Sequence, residues 1–427
     1  MPRDVQRRDV LKGAGVTGAS FVLAGCIGNG DGNGNGGGTE TGDEMTPTST
    51  EGQMGRTLKQ GVLLPLSGDL SALGQPIRDG AILPQAQLEG ETSFEIDIQV
   101  EDTETNPQAG IQGANTLVNN GYPAVTGTAS SGVNLQVTRQ SLISNETVGC
   151  SPSSTSPAVT ELDDDDYIFR TAPSDGRQGR LVAQVATERL GGSSMATMYV
   201  NNSYGQSLSQ VTAENFEGEV QTQVGFQKEQ SSYSSQLETA LADGPDTLVV
   251  IGYPASGVQL FRDYYADFAS GEDIIVTDGL IQNDLPDDVD NDMANVTGTS
   301  PKTSGPGAEA FNQLYDDEYG REPAVFNSQA YDATAICLLA NVYAGENDGT
   351  AVRDNMRTAA NPDGEEFTPD NLAEAFEAAA AGDAINYQGA SSACNFDDDG
   401  DMGAVEYGIY EIQDRDFAEV DSVEYGA

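Results

Sequence analysis

The chain has 427 residues, enough for two domains with cores of their own, and its 68 acidic residues face only 19 basic ones, a formal charge of −49 with no histidine. Nucleic acid is excluded as a partner for want of a basic footprint. Without His there is no Ser–His or Cys–His nucleophile and no His-bearing metal site, so no enzyme, metal or cofactor is predicted, and paired-carboxylate chemistry is the one enzymatic class left open. Such a charge repels itself in dilute buffer but is screened in molar salt, where the Debye length is about 3 Å, so the surface reads as suited to a hypersaline medium.

The N-terminus reads as an address. Arg7-Arg8-Asp9-Val10-Leu11-Lys12 is a twin-arginine pattern, and the modestly apolar run from Gly13 to Ala24 is too short to span a bilayer. Leu23-Ala24-Gly25-Cys26 resembles a lipobox. Residues 1–25 are therefore predicted to be a twin-arginine lipoprotein signal, with Cys26 lipidated as the mature N-terminus. Residues 26–57, rich in Gly, Asn and Thr, bury nothing and read as a disordered tether. Together these place a globular body on the extracellular face of the cell membrane, held by its lipid anchor.

From Lys59 strands and helices alternate. Gly61 to Leu66 is a short buried strand, and Phe94, Ile96, Ile98 and Val100 alternate with Glu, Asp and Gln as in a strand with one face inward. Pro84 interrupts the first helix. Pro107 opens a second helix carrying Ile111, Ala114, Leu117 and Val118, and Ala124 to Gly127 is the next strand. The rhythm restarts with a helix over 180–190, a strand over 195–200 and a helix over 208–216, then strands over 247–251 and 274–277. The fold class is α/β, with two doubly wound parallel-sheet lobes and a cleft between them. Ligands of such sheets sit beyond the carboxyl ends of the strands, so the loops after Leu66, Gly127, Cys150, Val200, Ile251 and Thr277 are the places to inspect.

Those loops read Ser67-Gly68-Asp69-Leu70-Ser71-Ala72-Leu73-Gly74, Thr128-Ala129-Ser130-Ser131-Gly132, Ser151-Pro152-Ser153-Ser154-Thr155-Ser156-Pro157, Asn201-Asn202-Ser203-Tyr204-Gly205, Gly252-Tyr253-Pro254 and Asp278-Gly279. Their order and spacing resemble the type I periplasmic solute-binding proteins of the branched-chain amino acid group, here of a haloarchaeal lipoprotein type. The resemblance runs from about Lys59 to the C-terminus. It implies lobes joined by three hinge crossings, a small-molecule ligand, and delivery to the permease subunits of an ATP-driven (ABC) importer.

Ser131, read as a helix cap, and Ser153 and Thr155 in the neighbouring loop make a neutral cradle for a carboxylate. By the resemblance, Asp278 from the second lobe meets the ligand's ammonium, and Tyr204 and Tyr253 wall the cleft. Leu73 falls where some relatives carry a large aromatic over the ligand's side chain, which leaves the cargo open. An amino acid of branched-chain type is expected, with a short amide, urea, an aromatic acid, or a sensory module signalling to a membrane partner as alternatives. The expected limits are 58–173 with 303–396 for lobe 1 and 174–302 with 397–427 for lobe 2, the chain crossing near 171–174, 298–303 and 397–404. Asp397-Asp398-Asp399-Gly400-Asp401 lacks the closing Glu of a calcium loop and reads as a turn. A Cys337–Cys394 disulfide is open to an exported chain, with Cys150 simply buried.

Overall fold

The computed structural model describes residues 55–360 and 363–426. The predicted signal, Cys26 and most of the tether lie outside the described residues. In chain order come β1 (Thr57–Leu64), α1 (Ser71–Leu88), β2 (Glu95–Asp102), α2 (Pro107–Asn119), β3 (Ala124–Gly127), α3 (Ser131–Val137), β4 (Val148–Ser151) and β5 (Ile168–Arg170). The five strands are parallel in the order β2-β1-β3-β4-β5. The inner strand β1 buries Val62, Leu63 and Leu64 completely, whereas β2 at the edge is half-exposed. That difference is why one reads as a solid apolar run and the other as an alternation. α2 starts where Asn106 accepts from the Gln108 N–H at 2.8 Å, and Pro107 occupies the first helical position, where its missing N–H costs nothing.

Pro84 does not interrupt α1, which runs on to Leu88 with Pro76 and Pro84 both inside it. Tertiary packing overrides the lost hydrogen bonds. The helix lies so close to the start of a later helix that a Cβ on Gly80 would stand 2.3 Å from the Asn327 carbonyl oxygen.

After residues 171–174 the chain enters the second sheet. It runs through α4 (Asp175–Gln184), β6 (Ser194–Val200), α5 (Ser203–Asn215), β7 (Glu219–Phe226), α6 (Ser234–Ala240), β8 (Thr247–Ile251), α7 (Pro254–Asp263), β9 (Asp273–Thr277), α8 (Leu285–Val289) and β10 (Val296–Pro301). Residues 302–307 lead back to the first lobe, where α9 (Ala308–Tyr319), α10 (Asn327–Ala344), α11 (Gly349–Ala359), β11 (Glu365–Phe367), α12 (Leu372–Ala381) and β12 (Ile385–Tyr387) follow. Gly298, expected at the crossing, lies inside β10, so the passage begins after Pro301. α10 packs on β1, β3 and β4 and is buried on nearly every face, which suits a helix apolar all round. A third passage, residues 388–404, returns to β13 (Val405–Gln413) and β14 (Asp416–Tyr425). These two pair antiparallel, so the second sheet, ordered β14-β13-β10-β9-β8-β6-β7, is mixed rather than purely parallel.

Cys150, Cys337 and Cys394 are all free and buried, so the Cys337–Cys394 bridge is not formed. Among the described residues no helix is long and apolar enough to cross a membrane.

The acidic run of the third passage is a turn with a purpose. The Asp397 carboxylate accepts from the N–H groups of Asp399 and Asp401 at 3.0 and 2.9 Å, and Gly400 turns with φ +74°. This aims Asp401 at Arg170, whose side chain is fully buried: Nε and Nη2 donate to the two Asp401 oxygens at 2.5 and 2.6 Å. The remaining Arg170 donors reach the Ser154 and Ser156 carbonyls at 3.2 and 2.9 Å and the Thr160 hydroxyl at 2.7 Å. One guanidinium thus ties the loop after β4 to the third passage. Removing its anion leaves a buried charge unpaired. Asp401→Ala is expected to lower stability by about 3 kcal/mol, read from denaturant unfolding in molar salt.

Candidate functional site

The strand-end loops of the two sheets face one another across a narrow hollow, with about 20 Å³ of space for a water-sized sphere. On the first lobe it is lined by Leu70, Leu73 and Ile77 from the start of α1, by Ser131 and Ser153, and by Phe326. On the second lobe Tyr204, Tyr253, Asp278 and Gly279 line it. The predicted residues Leu73, Ser131, Ser153, Tyr204, Tyr253 and Asp278 are therefore brought to one hollow. Thr155 is buried at its margin and does not line it.

Local geometry differs from the expected capping. Ser130, not Ser131, is the cap residue of α3; Ser131 is the first helical residue, and its hydroxyl accepts from the Ser156 N–H at 3.3 Å. That bond joins the loop after β3 to the loop after β4. The hydroxyls of Thr128, Ser153 and Ser154 are buried without a hydrogen-bond partner. Buried hydroxyls are ordinarily bonded, so this cluster marks a place where polar valence is unused.

On the second lobe the Tyr204 and Tyr253 rings stack, centroids 5.8 Å apart and planes 6° from parallel. The Tyr204 hydroxyl lies 2.7 Å from that of Thr277 and donates to Asp278 Oδ1 at 3.2 Å. The Tyr253 hydroxyl accepts from Asn202 Nδ2 at 2.9 Å and pairs with Ser130 across the cleft, also at 2.9 Å. Asp278 is only 3% exposed. Burial raises its carboxyl from the ordinary 3.8 to about 6, although Gln178 and Tyr204 offset part of the cost.

The sequence reading missed Asp175, the first residue of α4, because it started that helix at Arg180. Asp175 is fully buried, and the Thr155 hydroxyl is the side-chain donor that acts on its carboxyl. Burial pushes its carboxyl well above the usual range, and the neighbouring Asp278 charge pushes the same way. Its backbone N–H donates to the Thr155 carbonyl at 2.8 Å, so it stands behind the hydroxyl loop. Phe326 was also missed. It supplies an aromatic to the wall that carries Leu73, with its backbone in the left-handed region at φ +69°. A polar residue opening a strand-to-helix loop is the signal that could have found Asp175; none pointed to Phe326.

A family described as periplasmic binding protein matches residues 57–375, most of the chain. The chain belongs to the periplasmic binding protein family. Its similarity to other binding proteins is broad. The chemotactic signal transduction system substrate-binding protein BasB of Halobacterium salinarum is 26% identical over 348 residues, 79% of this chain and 83% of its own. A Leu/Ile/Val-binding protein homolog 2 of Brucella abortus is 26% identical over 307 residues, 70% of this chain and 81% of its own. The crystal structure of the leucine-binding protein LivK of Thermotoga maritima superposes with a TM-score of 0.72 at 23% identity, covering 86% of this chain and 98% of that one. These are solute-binding proteins, not enzymes, and the two lobes described above are those of a type I periplasmic binding protein.

The buried acid of this periplasmic binding protein gives a pH signature. Unfolded, Asp278 titrates near 3.8; native, near 6. Between those values the native chain binds the extra proton, so this group's contribution to stability falls as pH rises through that window. Asp278→Asn is therefore expected to gain stability relative to the parent as pH goes from about 4 to above about 6. Unfolding midpoints measured in molar salt without ligand check it, and parallel curves for the two chains would refute it.

Proposed function

We propose that this protein is the extracytoplasmic, lipid-anchored substrate-binding subunit of an ABC importer, and that it captures an amino acid of branched-chain type between its lobes. The observation that carries the reading is Asp278, a buried acid without a cation, across the hollow from the hydroxyls of Ser131 and Ser153. An amino acid completes both rims. Its carboxylate meets the neutral hydroxyls of Ser131 and Ser153, and its ammonium meets Asp278 with Asp175 behind it. The side chain lies among Leu70, Leu73, Ile77 and Phe326, with Tyr204 and Tyr253 closing the far side. A short amide or urea brings no full cation to Asp278, and a plain aromatic acid brings none either, so both are weaker candidates. Because ligand touches both lobes, it favours the closed arrangement by differential binding.

A second reading has its own support. BasB is named for chemotactic signalling, and a sensory module would use the same cleft to report occupancy to a membrane partner. The two readings share the ligand chemistry and divide on whether a permease or a signalling protein binds the occupied form.

A thermal-shift screen in molar salt, across the amino acids, small amides, urea and aromatic acids, tests the ligand class. A compound at a hundred times its Kd stabilises by about 2.7 kcal/mol, and one or a few aliphatic amino acids are expected to do so. Stabilisation only by aromatic acids or amides would overturn the amino-acid reading. Asp278→Ala is expected to weaken an amino acid by about 2 kcal/mol or more, measured by titration calorimetry. For the hypersaline reading, dialysis to dilute buffer is expected to loosen or unfold the chain by self-repulsion; unchanged far-ultraviolet circular dichroism and an unchanged melting temperature would count against it.

A further inference from the structure

Several hydrogen bonds run directly from one lobe to the other, and one set centres on a residue that does not line the hollow. Asp69, in the loop after β1, is 1% exposed. Its Oδ1 accepts from the Ser256 hydroxyl at 2.7 Å, and its backbone carbonyl accepts from the Ala255 N–H at 3.4 Å. Both donors belong to the first turn of α7, on the opposite lobe. That helix opens with Tyr253 and Pro254 and has no side-chain cap of its own. A carboxylate from the first lobe thus sits at the uncapped, positive end of a helix in the second.

Both sides present these groups firmly. Asp102 accepts from the Leu66 and Ser67 N–H groups at 2.9 and 3.3 Å and from the Ser67 hydroxyl at 2.7 Å. Gly68 turns at φ +81°, where an added Cβ would stand 2.4 Å from the Glu104 carbonyl oxygen. Thr105 Oγ1 accepts from the Leu70 N–H at 3.1 Å. On the second lobe the Ser256 hydroxyl also accepts from the Glu229 N–H at 3.1 Å, which draws in the neighbouring Lys228. Lys228 is one of four lysines in the chain. Its Nζ crosses the cleft to the Thr105 carbonyl at 2.5 Å and acts electrostatically on Asp69.

We propose that Asp69, received by Ser256 and the start of α7 and flanked by Lys228, is a positioning residue for closure, one that sets ligand affinity and release without touching the ligand. When the lobes part, the carboxylate and the helix end each return to water. When they meet, Oδ1 and the backbone carbonyl of Asp69 gain donors from α7, while Oδ2 is buried with only the nearby Lys228 charge to offset it. Observed affinity scales with the fraction of chains in the closed arrangement, so a bond made only there tightens every ligand by the same factor. The affinity arm of this inference rests on the capture function proposed above; the conformational arm does not.

The experiment uses the full chain in molar salt, with the variants Asp69→Ala and Ser256→Ala, and reads two quantities. Small-angle X-ray scattering of the ligand-free chain is expected to show a larger radius of gyration in both variants. Stopped-flow and equilibrium titration with every amino acid active in the thermal screen are expected to give a roughly tenfold faster dissociation and weaker affinity, by one common factor across ligands. The double variant is expected to be no worse than Asp69→Ala alone, since both remove one interaction. An unchanged scattering curve overturns the proposal even if no ligand is ever found. A factor that differs from ligand to ligand also overturns it, because it would place Asp69 in direct contact. Ser256→Ala keeps the test open should Asp69→Ala fail to fold.

Discussion

Taking a carboxylate out of water without a cation beside it costs several kcal/mol, and this molecule does so with two acids where its sheets meet. Asp278 is left with Tyr204 and Gln178, both neutral, and Asp175 with the neutral Thr155 hydroxyl. Arg170, whose charge acts on Asp175, has its donors committed elsewhere: they go to Asp401, the loop carbonyls and Thr160. The rim of the second lobe therefore keeps an excess of negative character, and that of the first keeps unused hydroxyls. On the proposed reading, each side lacks what a zwitterion carries.

The same guanidinium shapes the opposite rim. By drawing the Ser154 and Ser156 carbonyls toward itself, Arg170 fixes the course of the loop that carries Ser153 and Thr155. Because its anion is Asp401, that loop answers mechanically to the third passage between the lobes. The third passage and the loop after β4 are thus one hydrogen-bonded unit.

Much of this was legible from periodicity, and the limits of legibility are physical. β3 coincides with the predicted Ala124–Gly127 because a fully buried parallel strand is an uninterrupted apolar run with glycine at its end. The strand-end loops pointed to the hollow because both sheets present the carboxyl ends of their parallel strands to it. α4 and α5 start five residues before the predictions, since their first turns are polar and carry no apolar period; Asp175 was lost with one of them. Tertiary contact decided what local rules could not. Pro84 reads as a breaker only until α1 is laid against α10, and Asp401 reads as a solvated turn residue only until Arg170 is found beneath it. The antiparallel pairing of β13 and β14 left no distinctive mark, because strand direction is not written in alternation.

The first sheet is laid down by residue 170, yet the helix that covers it, α10, begins at Asn327, and the second sheet gains its outer strands only at the C-terminus. The first lobe cannot complete its core from a contiguous stretch of chain, whereas the second draws nearly all of its core from one. A ribosome extruding this polypeptide exposes an apolar sheet surface for some 150 residues before its cover arrives. The first sheet therefore stays incompletely covered until α10 is made, while the second lobe between them can assemble on its own stretch of chain.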